Sequence, residues 1–156
     1  MARLTSLPPA LTRPGFAAPT AEVRRRMQAV PRVHTKPEVA LRAALYGLGL
    51  RFRINVPLLP GLRRRADIVF RSVKVACFVH GCFWHGCPSH LCWPARNPAY
   101  WRDKIEGNRA RDADTTRRLR RAGWAVVVCW EHEAPGRAAA RIARLVRSRS
   151  GLAGAL

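Results

Sequence analysis

The chain has 156 residues, 48% of them hydrophobic, which suffices for one domain with a real core. Twenty-nine Lys and Arg stand against nine Asp and Glu, a formal charge of +20. This argues against an ordinary enzyme of small neutral metabolites and for a holder of polyanions, nucleic acid first. No stretch approaches the roughly 20 apolar residues of a membrane span, and Pro8, Pro9, Pro14 and Pro19 break any secretory apolar run, so a soluble chain is expected.

Residues 1–19, rich in Pro and Ala, read as a flexible lead, 20–149 as one domain and 150–156 as a flexible end. Thr20 caps a short helix that Pro31 stops. Thr35 and Glu38 form a capping-box pattern with Pro37 near the first helical position, and Val39, Leu41, Leu45 and Leu48 follow at helical spacing before Gly49. Arg51–Ile54 predicts a short strand and Leu59–Leu62 a turn. Strands then follow over Ala66–Phe70 and Val73–Val79, joined by Arg71 and Ser72. The second, VKVACFV, is apolar enough to be central and covered on both faces.

Residues 80–97 carry few element signals. A helix is predicted from Pro98 to Ala122, with Gly107 as a candidate break, then a buried strand over Ala125–Trp130 and an amphipathic helix from Ala138 to Arg149. This order suggests an α/β fold, a mixed sheet with helices on both faces.

Four of the five cysteines, Cys77, Cys82, Cys87 and Cys92, crowd into sixteen residues beside His80, His85 and His90. Such clustering fits a metal in a reducing compartment better than a disulfide framework. Cys82-x4-Cys87-x2-His90 offers soft thiolates and an imidazole to one tetrahedral ion, for which zinc is the natural occupant. The fourth ligand comes from Cys92, Cys129, His132 or His85; His132, just past a strand end, is favoured, and Cys77 and Cys129 are read as core thiols.

Six carboxylates, Glu22, Asp103, Glu106, Asp112, Asp114 and Glu133, lie near arginines and read as solvated ion pairs. Asp67 differs, because it opens a strand directly after Arg63-Arg64-Arg65. At the mouth of a basic cleft it suits Mg²⁺, the hard ion that braces phosphates. Phe83 and Trp84 inside the metal loop, with Trp93, Tyr100 and Trp101 behind, can stack on bases or wedge between them. Trp101 also fits the inner face of a helix with Ile105.

Ala66-Asp67, HGCFWHGCPSH from His80 to His90, Tyr100–Ile105, Asn108-x-x-Arg111-Asp112, Ala122–Trp124 and Val128–His132 together resemble the very short patch repair (Vsr) endonucleases. Met27 and Thr35–Glu38 extend the resemblance towards the N-terminus. It implies a restriction-endonuclease-like fold with a structural zinc, nicking one DNA strand beside the thymine of a T:G mismatch. By residue match, Asp67 binds the catalytic metal, Mg²⁺, helped by the Val79 carbonyl, and His85 is the catalytic histidine. His80 stands where related nucleases often place lysine, and Glu38 matches an acid able to orient an imidazole.

Zinc falls to Cys82, Cys87, His90 and His132, and the DNA wedges to Phe83, Trp84 and Trp101, with Met27 in the minor groove. The clustered, unpaired cysteines predict a reducing compartment, the cytoplasm or the space around a nucleoid; the family also implies a companion cytosine methyltransferase and mismatch-repair partners, and a monomer is expected. Two rival readings are a non-catalytic zinc-containing DNA binder and a nuclease of the same fold with another DNA substrate.

Overall fold

The computed structural model describes residues 20–29 and 33–153. The lead 1–19, the helix stop at Pro31 and residues 154–156 lie outside the described residues. The elements are α1 (Ala21–Ala29), α2 (Lys36–Gly47), β1 (Arg53–Pro57), β2 (Arg65–Phe70), β3 (Val75–His80), α3 (Pro98–Arg121), β4 (Ala125–Trp130) and α4 (Pro135–Ala153).

The strands form one mixed sheet in the order β1-β2-β3-β4, antiparallel except for the β3–β4 pair. One face packs Ile68, Phe70, Val75, Cys77, Val127 and Cys129 against Leu41 and Leu45 of α2 and Ala139 and Ile142 of α4. The other face sets Val69 and Ala76 against Leu119 of α3. Helices therefore cover both faces. Leu45, Ile68 and Ile142 are fully buried, each contributing roughly 1.5–3 kcal/mol of apolar transfer. No helix among the described residues is long and apolar enough to cross a membrane.

Local chemistry moves several boundaries. The first strand lies at Arg53–Pro57, later than the predicted Arg51–Ile54, because its register is dictated by β2. Pro57 is tolerated there because β1 is an edge strand. Val73 joins the core and Lys74 takes a left-handed φ of +51°, so the β2–β3 turn is longer than Arg71-Ser72 and β3 starts at Val75. Helix α3 runs unbroken through Gly107.

Helix α4 extends beyond Arg149, the predicted end, to Ala153. Ser150 Oγ donates to the Val146 carbonyl, and Arg149 is anchored on the carbonyls of Val73 and Gly123. Thr35 precedes α2 as expected but makes no side-chain cap. Its hydroxyl donates instead to Glu38, which the buried Arg42 draws away from a capping geometry.

Candidate active site and metal centre

The pleat of β2 slips at Asp67. Ile68 faces one core and Ala66 the other, although both pair with β1 in continuous register, and Asn55 opposite Asp67 has a left-handed φ of +50°. The β2–β3 ladder ends at Ile68↔Cys77. Beyond it the Val79 N–H donates to Asp67 Oδ2 at 2.7 Å, so a carboxylate stands where a ladder carbonyl would be. The N–H and C=O of one strand residue point to the same side, so the Val79 carbonyl also faces this gap.

Burial pushes the Asp67 carboxyl up to about 6, the Val79 hydrogen bond and Arg42 working the other way. Among the described residues Asp67 has no ion pair with Lys or Arg. A half-buried, partly desolvated carboxylate with one committed oxygen and no ion-paired cation fits a divalent cation.

Beside it, the rings of His80 and His85 stack at 3.9 Å. Burial, then the neighbouring His85, lowers His80 to about 4, so it is a neutral imidazole at pH 7. His85 Nδ1 lies 2.6 Å from Asp112 Oδ2. A carboxylate can only accept, so Asp112 fixes the proton on Nδ1 and leaves Nε2 available. Sequence reasoning assigned Asp112 to solvated arginine pairs; its position one helical turn past Asn108 and Arg109 was the available signal.

Those residues form a stripe on α3. Ile105, Asn108, Arg109 and Asp112, spaced three, one and three apart, all face the loop between β3 and α3. Asn108 donates to the Trp84 carbonyl at 2.7 Å and Arg109 to the Gly86 carbonyl at 2.6 Å. Gly86 has φ +63°, and a Cβ there would stand 2.7 Å from Arg109 Nε and 2.8 Å from Ile105 Cγ2. Only glycine admits the helix so close. The helix is itself tied to β2 by Arg64, which donates to the Arg111 carbonyl and to Asp114 and Thr115. The middle arginine of the triplet is thus an internal strut, not part of an open basic mouth.

Glu38 is 4% exposed and accepts from Arg42 Nη2 at 2.8 Å, the His34 N–H at 2.9 Å and Thr35 Oγ1 at 3.0 Å. Arg42 also donates to His34 Nδ1. Glu38 therefore sits near Asp67 in an acid–guanidinium network, while the direct partner of the His85 imidazole is Asp112.

One ligand atom each from Cys82, Cys87, His90 and His132 lies within 4.8 Å of every other. Cys82 Sγ is 3.0 Å from His132 Nδ1, and Cys87 Sγ lies 3.7 Å from His90 Nδ1 and 3.8 Å from His132 Nδ1. Tetrahedral zinc with its usual bond lengths puts sulfur and nitrogen roughly 3.6 Å apart, so this donor set fits such an ion. Burial and then Cys87 push the Cys82 thiol up to about 11, the repulsion that a bound cation would relieve.

Among the remaining fourth-ligand candidates, His85 groups with His80 and Asp112, Cys129 is buried in the core and Cys92 is exposed. Cys77 is likewise a core thiol, which burial pushes far above its usual range. Glu131, which the sequence placed on one strand face with Cys129 but gave no role, accepts the Cys82 N–H at 2.5 Å while its own N–H donates to the His80 carbonyl.

The aromatics gather on the outer side of the same loop. Ring centroids of Phe83 lie 5.2 Å from Trp84 and 5.1 Å from Trp101, and Tyr100 touches Trp101. All four are half-buried, whereas Ile105, one turn after Trp101, is fully buried. Trp101 thus braces Phe83 and Trp84 instead of lining the core. Trp93 stands apart under the Arg102 guanidinium, and Met27 lies within α1.

A Cys/His cluster able to hold a metal, a carboxylate in the gap between β2 and β3, a histidine oriented by Asp112 and a half-buried aromatic group lie together around one loop, a set that suits a phosphodiester-cutting site. Comparison with known proteins agrees. The family model described as DNA mismatch endonuclease Vsr matches residues 19–91. The type II nicking enzyme V.NaeI of Lentzea aerocolonigenes is 46% identical over 111 residues, 70% of this chain and 67% of that one. V.XorIIP, a type II nicking enzyme of Xanthomonas oryzae pv. oryzae, is 43% identical over 116 residues, 70% of this chain and 81% of its own. DNA mismatch endonuclease Vsr of Escherichia coli is 37% identical over 117 residues, 72% and 71% of the two chains. The chain belongs to the Vsr family of DNA mismatch endonucleases and is a DNA-cleaving hydrolase.

Proposed function

We propose that this protein nicks one strand of duplex DNA beside the thymine of a T:G mismatch, on a restriction-endonuclease-like sheet, in a reaction that requires Mg²⁺. The observation that carries the reading is the juxtaposition of Asp67, in the gap between β2 and β3, with the His85–Asp112 pair. Asp67 and the Val79 carbonyl would hold Mg²⁺, which supplies charge neutralisation at the scissile phosphate. His85, its Nδ1 proton held by Asp112, presents Nε2 for proton transfer with the attacking water or the leaving oxygen. Neutral His80 keeps the imidazole plane of His85 in place by stacking and adds no repelling charge to the site. Glu38, with Arg42, supplies the fixed acidic background of the gap.

Zinc on Cys82, Cys87, His90 and His132 would perform no chemistry. It would stiffen the loop that carries both His85 and the aromatic group. Phe83 and Trp84, braced by Trp101, would enter the stack beside the mismatch while Met27 approaches from the minor groove. A T:G step resists this less than a Watson–Crick pair, so the few kcal/mol of unstacking select the lesion. The substrate puts the enzyme at the nucleoid in the cytoplasm, alongside a companion cytosine methyltransferase and mismatch-repair proteins. Nicking assays on T:G, matched and branched duplexes with and without Mg²⁺ test the reading. Mg²⁺-dependent cleavage confined to the T:G strand supports it; equal cleavage of matched DNA, or binding without cleavage, overturns it.

A further inference from the structure

Helix α4 carries five arginines and no acid. Ala138, Ala139, Ile142, Ala143 and Val146 bury one side against the sheet and α2. Two of the arginines are used internally. Arg141 donates to both Glu133 oxygens at 2.9 Å, and Arg149 donates to the Val73 and Gly123 carbonyls. The other three, Arg137, Arg144 and Arg147, are exposed on the side turned away from the core. No carboxylate among the described residues pairs with them.

This differs from α3, where Asp114 gathers Arg64, Arg117 and Arg118. A stripe of unneutralised guanidiniums repels itself in the free protein and is relieved by a polyanion. From Arg137 to Arg147 the stripe runs about 15 Å, the axial length of roughly four base steps. It starts just beyond His132 and leads away from the catalytic histidines, towards the Val73 end of the sheet. Helix α4 also lies beyond the residues that the family model matches.

We propose that Arg137, Arg144 and Arg147 form a phosphate-contacting surface for the duplex flanking the nick, separate from the site that reads the mismatch. The inference rests on the DNA-nicking reading above. Contacts of this kind add affinity and salt dependence, carry no sequence information and leave the chemical step alone.

The test is the full-length triple variant Arg137→Gln, Arg144→Gln, Arg147→Gln, glutamine keeping helix propensity and removing charge. Circular dichroism and thermal melting establish that it is folded. Affinity for long T:G and matched duplexes is measured between about 50 and 200 mM salt, and nicking is followed in single turnover at saturating protein. The plot of log affinity against log salt should lose about 2–3 of its slope. Affinity should fall about tenfold or more for both duplexes, the saturated nicking rate should be unchanged, and trimming the flanks should erase the difference from wild type. An unchanged slope, a loss confined to the T:G duplex, or a lower saturated rate would overturn the surface. Failure of the wild type to nick T:G DNA would instead overturn the functional reading beneath it.

Discussion

Asp112 holds Nδ1 of His85 at 2.6 Å, across the interface between α3 and the metal loop. One carboxylate thus links the helix that positions the loop to the imidazole to which the proposed mechanism gives the proton transfer. Asparagine at this position could donate its amide N–H to Nδ1 and favour the other tautomer. Asp112→Asn should therefore lower the single-turnover nicking rate by about 10²–10⁴-fold with affinity for the T:G duplex within about threefold of wild type. Equal rates would mean that His85 needs no such partner.

Asp67 gives the site a pH signature. Burial raises its carboxyl from 3.8 to about 6 in the folded chain. The native state then binds the proton more tightly than the unfolded state, so this contribution to stability is present at low pH and fades as pH rises from about 4 to about 6. Without Mg²⁺, the half-buried charge leaves the neutral-pH protein up to about 3 kcal/mol less stable than it would be with a neutral isostere. Asp67→Asn should raise the melting temperature above pH 6 by several degrees in Mg²⁺-free buffer and remove any stabilisation by Mg²⁺. The nicking rate of the wild type should rise through an acid limb near pH 6 that moves lower as Mg²⁺ is increased, because metal and proton compete. Melting curves that superimpose at every pH would contradict this assignment.

Two glycines in or against the same helix should respond in opposite directions. Gly86→Ala forces a Cβ into Arg109 and Ile105 at a left-handed φ, and should destabilise the fold by about 1–3 kcal/mol and slow nicking. Gly107 lies inside α3, and a Cβ added there would meet nothing within 4 Å, so Gly107→Ala should stabilise by about 0.5–1 kcal/mol with activity retained. Denaturant titration of both variants reads the pair, and a neutral Gly86→Ala would show that the loop does not need its close approach to α3.

Most elements were legible in the sequence because their signals are local: apolar runs for β3 and β4, a cap and Pro37 for α2, helical spacing for α3 and α4. The four Cys and His residues that converge also share a recognisable spacing, apart from His132. What escaped depends on pairing across the fold. Arg42, a helix neighbour four residues away, pulls Glu38 out of a capping box. Arg64 binds α3 through residues about fifty positions distant. Asp112 and Glu131 gain their partners only when the loop folds back; the spacing of Asp112 from Asn108 and Arg109 along one helix face was its one local sign, and Glu131 had only its place on the face of Cys129.

Glu131 ties the metal cluster to β4 through the Cys82 N–H. Glu131→Ala should weaken zinc binding by about 10–100-fold, measured by competition with a chelator, and Glu131→Gln should restore most of it because the acceptor oxygen remains. Cys87→Ser should release the ion outright. Zinc affinity unchanged in the alanine variant would show that the carboxylate does not support the cluster.

The central claim is that Asp67 provides the catalytic metal site within reach of His85. Asp67→Ala, assayed for nicking and for binding on one T:G duplex in Mg²⁺, tests it most directly. The account predicts that nicking is lost while salt-sensitive binding remains at or near wild-type strength; cleavage at a comparable rate by the alanine variant would contradict it.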